Sequence, residues 1–116
     1  MPWVKDDMCV GCGACLAACP VGAISLFDDV ACIDDKKCIR CGTCHEICPH
    51  EAVRHDSEKI PLEIEANVQW TRQLLQHFQT PDDKRGLIER MKRYFAKERK
   101  VAEETVERLR VMAESL

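Results

Sequence analysis

Two copies of one four-cysteine run constrain this 116-residue chain more than any other feature. The run reads C-x2-C-x2-C-x3-C-P and occurs at residues 9–20 and again at residues 38–49. It contains eight of the nine cysteines: Cys9, Cys12, Cys15 and Cys19 in the first copy, and Cys38, Cys41, Cys44 and Cys48 in the second. Three thiolates, each separated from the next by two residues, can surround one corner of an iron-sulfur cubane, so both runs are expected to bind metal.

Other uses of closely spaced cysteines fit this chain less well. Structural zinc sites usually take their ligands as two pairs separated by a longer spacer, which these runs lack. The C-x3-C-x2-C run of radical-SAM enzymes also fails, because Gly22 and Glu51 stand where its third cysteine would be. A disulfide framework is disfavoured because residues 1–7 have no apolar signal segment, and we therefore expect reduced thiols in a cytoplasmic protein.

At these cysteines and the prolines that follow them, the sequence resembles the bacterial two-cluster ferredoxins. The resemblance implies two 4Fe-4S clusters, with the fourth cysteine of each run binding the other run's cluster. Cluster I would be held by Cys9, Cys12, Cys15 and Cys48, and cluster II by Cys38, Cys41, Cys44 and Cys19. The resemblance also implies low-potential electron transfer with redox partner proteins, with no catalysis by protein side chains.

Residues 1–60 are expected to form a small pseudo-twofold domain, because the two runs belong to a longer repeat with an offset of 29 residues. Residues 23–27 and 30–33 are predicted strands joined by a turn at Asp28-Asp29, and residues 3–4 and 52–54 are the equivalent strands. Short helices should lead to each fourth cysteine. Because a domain of this size buries little apolar surface, the clusters are expected to serve as its core.

Two residues near the expected ligands are not themselves expected to bind metal. Cys32, the ninth cysteine, aligns with Trp3 and is expected to be a small, partly buried strand residue. His45 lies between two ligands and is expected to be a solvated side chain on a short helix.

Residues 61–116 change to a helical period, which predicts a C-terminal α-helical hairpin and an α+β protein overall. The first helix is expected over residues 62–79. Thr80 and Pro81 then provide an N-cap and a first helical residue for a second helix reaching Ser115. Gly86 disfavours helix, which leaves a start nearer Leu87 as the alternative. Its apolar 3-4 spacing is interrupted at Glu98 and Thr105, unlike that of a regular coiled coil.

Charge differs between the two parts of the chain. Residues 1–60 carry six Lys and Arg against ten Asp and Glu, whereas residues 61–116 carry eleven against ten. Residues 84–100 hold eight basic and two acidic side chains, but no aromatic-basic platform accompanies them, so nucleic acid is not an expected partner. No stretch approaches the length of an apolar membrane span.

Three functions follow from these observations. The leading hypothesis is an electron carrier of the ferredoxin type rather than an enzyme. The alternative is a dedicated electron-transfer subunit of a larger oxidoreductase, attached through residues 61–116. A third is an oxygen-responsive regulator whose basic helix binds nucleic acid. For the exposed apolar surface of the extension, both homodimerisation and docking into an oxidoreductase remain open.

Overall fold

Four short strands form two separate antiparallel sheets in the N-terminal part of the computed structural model, which describes residues 1–116. Strand β1 (Trp3–Val4) pairs with β4 (Val53–Arg54), and β2 (Ile24–Phe27) pairs with β3 (Val30–Ile33). The second pair is the predicted hairpin, whereas the first joins the two ends of the repeat. This arrangement confirms the α+β fold.

The β2–β3 hairpin turns at Asp28 and Asp29, as the sequence predicts. Both residues have positive φ angles, 50° and 62°. Two left-handed residues match the right-handed twist of the flanking strands, and aspartate tolerates this conformation better than most side chains.

Two five-residue helices, α1 (Ala14–Ala18) and α2 (Thr43–Ile47), occupy equivalent positions in the repeat. Each follows a glycine in the left-handed conformation, with φ of 77° at Gly13 and 79° at Gly42. Each ends at the fourth cysteine of its run, since Cys19 and Cys48 are the C-cap residues. The helices thus lead to the fourth cysteines as expected.

The buried core of this part of the chain is very small. Its buried side chains are no larger than valine: Pro2, Cys15, Ala23, Ala31, Cys44, Ala52 and Val53. A domain with so little apolar burial usually needs a metal or another staple to fold.

A 3₁₀ helix (Asp56–Lys59) leads directly into α3 (Ile60–Leu75), and α4 (Pro81–Glu114) follows. Helix α3 begins earlier than predicted, at Ile60. It also ends earlier, at Leu75, because the chain turns at Gln76 and His77. Thr80 is the N-cap of α4 and its hydroxyl accepts a 3.1 Å hydrogen bond from the Asp83 amide. Gly86 lies inside the helix, so the later start near Leu87 is wrong.

The chain divides into two compact units, Met1–Ile64 and Glu65–Leu116. In the second unit only Leu87 and Met91 are buried, and the Trp70 ring lies edge-on to Tyr94 and Phe95 with centroids 5.8 and 6.2 Å away. From residue 96 onwards every residue of α4 is exposed. None of the helices combines the length and apolar character needed to cross a membrane.

Candidate metal centre

Two cavities in the N-terminal unit gather the eight cysteines of the two runs. The first has an empty volume of about 360 Å³, part of it open to solvent, and its cysteines are Cys9, Cys12, Cys15 and Cys48. The second has about 320 Å³, and its cysteines are Cys19, Cys38, Cys41 and Cys44. Each cavity therefore takes three cysteines from one run and the fourth cysteine of the other.

The remaining walls of both cavities are mainly apolar. The first cavity is closed by side chains that include Val4, Leu26, Ala31, Ala52 and Val53. The second is closed by side chains that include Pro2, Val21, Ile24 and Ile39. Apolar walls exclude water and lower the local dielectric, which strengthens the effect of any nearby charge or hydrogen bond.

Hydrogen-bond donors point at cysteine sulfurs in both cavities. In the first, the Ala31 amide donates to Cys9 Sγ and the Ala52 amide donates to Cys48 Sγ, each at 3.4 Å. Sulfur that accepts such bonds is stabilised as thiolate, the form that binds iron.

The second cavity has three sulfur contacts of this kind. The Ala23 amide donates to Cys19 Sγ at 3.2 Å, and the Arg40 amide donates to Cys38 Sγ at 3.3 Å. The third joins the Thr43 hydroxyl and Cys41 Sγ, whose atoms are 3.3 Å apart.

The pKa values of the thiols depend on their position in the cavities. Burial raises the pKa of Cys15 and of Cys44, the two most enclosed cysteines. The Ala23 amide lowers the pKa of Cys19, and the Thr43 hydroxyl lowers that of Cys41. At Cys48 burial acts to raise the pKa, but hydrogen bonds from Ala52 and neighbouring amides lower it overall.

The donor set suits an iron-sulfur cluster. Each cavity presents four cysteine sulfurs, and soft thiolate ligands favour iron-sulfur clusters, zinc or copper(I). No group of three or more Cys, His, Asp or Glu side chains converges on one position suitable for a single metal ion. Four thiols arranged around a cavity match a polynuclear centre, whose irons each need a separate ligand.

Two residues beside the ligands differ from their sequence interpretation. Cys32 is exposed instead of partly buried, and it lines neither cavity. His45 is not a solvated helix residue, because its Nδ1 hydrogen-bonds the Val53 carbonyl and its ring centroid lies 3.9 Å from that of His55. Packing of α2 against β4 turns this side chain inward.

Sequence reasoning missed Thr43 and Arg40 as neighbours of the ligand sulfurs. A signal was available in the repeat, because the equivalent residues of the first half are Ala14 and Gly11. Both differences lie between the first three cysteines of each run, where Gly13 matches Gly42 and Val10 is similar to Ile39.

Comparison with known proteins agrees with this geometry. Residues 8–52 match the family described as 4Fe-4S dicluster domain. Residues 8–52 are thus similar to bacterial-type 4Fe-4S ferredoxins. These residues include both short helices and all eight cysteines of the two runs.

Two curated relatives each match part of this chain. A "Probable ferredoxin" of Methanosarcina thermophila is 52% identical over 33 residues, which are 28% of this chain and 57% of that protein. A "Ferredoxin" of Acetoanaerobium sticklandii is 50% identical over 34 residues, 29% of this chain and 61% of that protein. The chain thus spans about three-fifths of the length of each relative.

Proposed function

We propose that the chain is an electron carrier that binds two 4Fe-4S clusters, one in each cavity. Cluster I would be held by Cys9, Cys12, Cys15 and Cys48, and cluster II by Cys38, Cys41, Cys44 and Cys19. The observation that carries this proposal is the composition of the two cavities, each lined by four cysteines in the crossed combination. When bound, the clusters supply reversible one-electron chemistry.

The protein's own contribution is to hold the ligands, exclude water and set the potential. The apolar walls limit solvent access, and the donors to cysteine sulfur stabilise the more negative, reduced state. We place the potentials at the low end of the range of about -700 to +450 mV for iron-sulfur proteins, on the resemblance to two-cluster ferredoxins. The free thiols that such ligation needs persist in a reducing cytoplasm.

The experiment is anaerobic purification followed by iron and sulfide analysis and a spectroscopic redox titration. We expect about eight iron and eight sulfide per chain and reversible bleaching of the visible absorption on reduction. Stoichiometric zinc, or clusters that cannot be cycled between two oxidation states, would contradict the electron-carrier proposal.

For the rest of the chain, we propose that residues 61–116 are a helical extension that associates with a second copy through α4. Several of its exposed apolar side chains share one face of that helix, which we call the C-terminal stripe: Ala102, Val106, Leu109 and Met112. Val106, Leu109 and Met112 are 66, 55 and 61% exposed. Such a face in water is typical of an interaction site.

Charge complementarity favours a second copy over another partner. Residues 84–100 of α4 carry eight basic and two acidic side chains, whereas residues 101–116 carry two basic and four acidic ones. Two antiparallel copies that cross near residue 100 would therefore place the acidic half of each helix, with its stripe, along the basic half of the other. Opposite charges across an interface steer association and fix its register.

The alternative role, a dedicated subunit of a larger oxidoreductase, would use the same stripe for a different protein. Measurement of the oligomeric state separates the two proposals, because only self-association predicts a dimer of the isolated chain. In both cases electrons would pass to redox partner proteins.

A further inference from the structure

The two cysteine sites are not equivalent, although the repeat that builds them is regular. At the first residue of each short helix, α2 has Thr43 where α1 has Ala14. Between the first two cysteines of each run, Arg40 stands where the first half has Gly11. Both differences place additional polar groups beside the second cavity.

The Thr43 hydroxyl lies 3.3 Å from Cys41 Sγ. A cysteine that binds iron is a thiolate and can only accept, so the hydroxyl must donate in the loaded protein. Ala14 has no side-chain donor to offer Cys12. The second cavity therefore has one more hydrogen bond to sulfur than the first.

Arg40 adds positive charge to the same site. Its amide donates to Cys38 Sγ at 3.3 Å, and its guanidinium donates to the Cys38 carbonyl at 2.9 Å. This second bond holds the cation beside a cysteine of the second cavity. The loop around the second site is also the more positively charged one. Residues 34–42 carry three basic and two acidic side chains, whereas residues 5–13 carry one basic and two acidic side chains.

Packing explains why the first half does not carry a similar arginine. The Cα of Gly11 faces the Asp29 backbone in the β2–β3 turn, and a Cβ there would overlap the Asp29 carbonyl oxygen. Arg40 adopts the same left-handed backbone, with φ of 60° compared with 71° at Gly11. The backbone conformation is shared, but the hairpin excludes a side chain at the first position.

We propose that the site formed by Cys19, Cys38, Cys41 and Cys44 has the higher reduction potential and takes the first electron, and that Thr43 and Arg40 set this order. The inference rests on the proposed electron-carrier function. On reduction the site gains one electron from an external reductant, which is oxidised by one electron. The added negative charge is stabilised by the hydroxyl, the amides and the nearby guanidinium.

The test follows the location of the electron in half-reduced, cluster-loaded protein. Paramagnetically shifted cysteine β-proton signals, assigned residue by residue, report which four cysteines surround the reduced site. In the wild-type protein we expect the electron mainly at the second site. If the added electron resides mainly at the site of Cys9, Cys12, Cys15 and Cys48, the inference is overturned.

Substitution at the equivalent helix positions provides a matched pair of variants. Thr43→Ala should shift the distribution toward the first site by roughly threefold to tenfold, the scale of the net contribution of one ordinary hydrogen bond. Ala14→Thr should shift it in the same direction by raising the potential of the first site. Thr43→Ser keeps the hydroxyl and should retain the wild-type distribution.

The charge of Arg40 is tested separately. Arg40→Gln should lower the potential of the second site, whereas Arg40→Lys should preserve much of it because the positive charge remains. Equal shifts at both sites in Thr43→Ala and Arg40→Gln would show that neither residue sets the order. Iron and sulfide analysis separates failure of this inference from failure of the proposed function. Reversible clusters that are present but reduced in the opposite order contradict only this inference. Failure to bind two clusters contradicts the proposed function as well.

Discussion

Gly11 lies so close to Asp29 that the first cysteine run and the β2–β3 turn meet backbone against backbone. A Cβ added to Gly11 would overlap the Asp29 carbonyl oxygen. We expect Gly11→Ala to destabilise the first site, because either the turn or the loop between Cys9 and Cys12 must move. The check is the midpoint of thermal or denaturant-induced loss of visible cluster absorption.

Gly22→Ala is the matched control for this prediction. Gly22 has a similar positive φ of 63°, lines neither cavity, and an added Cβ would meet no atom within 4 Å. Both variants carry the cost of a left-handed alanine, about 1 kcal/mol, whereas only Gly11→Ala adds the overlap. Equal loss of stability in the two variants would show that the contact with Asp29 is unimportant.

Crossed ligation predicts which site each fourth cysteine supports. Cys19→Ala should damage the site of Cys38, Cys41 and Cys44, and Cys48→Ala should damage the site of Cys9, Cys12 and Cys15. The cavities place these cysteines together, and removal of one of four ligands leaves one iron without its thiolate. Iron content and assigned cysteine signals measure the result.

Cys32→Ala controls for the general loss of a thiol. Because Cys32 is exposed and outside both cavities, its removal should leave iron content unchanged. Loss of iron in this variant, or loss of the Cys9 site in Cys19→Ala, would contradict the assignment of ligands.

Self-association through the C-terminal stripe is tested in the full chain by Leu109→Asp with Met112→Asp. Charged residues within an apolar interface should convert a dimer into a monomer, measured by analytical ultracentrifugation over a range of concentrations. Cluster absorption should be unchanged.

Val111→Asp provides the control on the same helix. Val111 is 51% exposed and lies on the face of α4 opposite Leu109, so the dimer should persist in this variant. A wild-type chain that sediments only as a monomer would refute self-association and leave the oxidoreductase as the partner to test.

Removal of iron should unfold the N-terminal unit. Its buried side chains are few and none exceeds valine in size, so the binding energy of the clusters is expected to supply much of the folding energy. Anaerobic chelation should abolish hydrogen-exchange protection of the β2 and β3 amides. Protection that persists after complete iron loss would show that the polypeptide folds without its clusters.

Much of the architecture was predictable because it follows local rules. The two strand-like runs on either side of Asp28-Asp29 predict the hairpin, and Thr80-Pro81 predicts the start of α4. The helix ends were less predictable. Helix α3 stops at Leu75 although apolar residues continue to Phe78, and α4 passes through Gly86 because its neighbours favour helix.

The side-chain environment of the site depended on tertiary packing that spacing does not contain. His45 looks like a surface residue of a short helix, yet the Val53 carbonyl and the His55 ring hold it partly buried. Cys32 is exposed because it lies on the outer face of β3, whereas its neighbour Ala31 is buried. These outcomes depend on which strand lies against which helix.

The scarcity of large buried side chains also connects this protein to iron supply. If the clusters provide most of the core, cluster insertion and proteolysis compete for newly made chains, because unfolded segments are the substrates of proteases. The amount of protein in a cell would then follow the rate of cluster assembly even at constant synthesis. Iron limitation would remove the carrier itself as well as its redox activity.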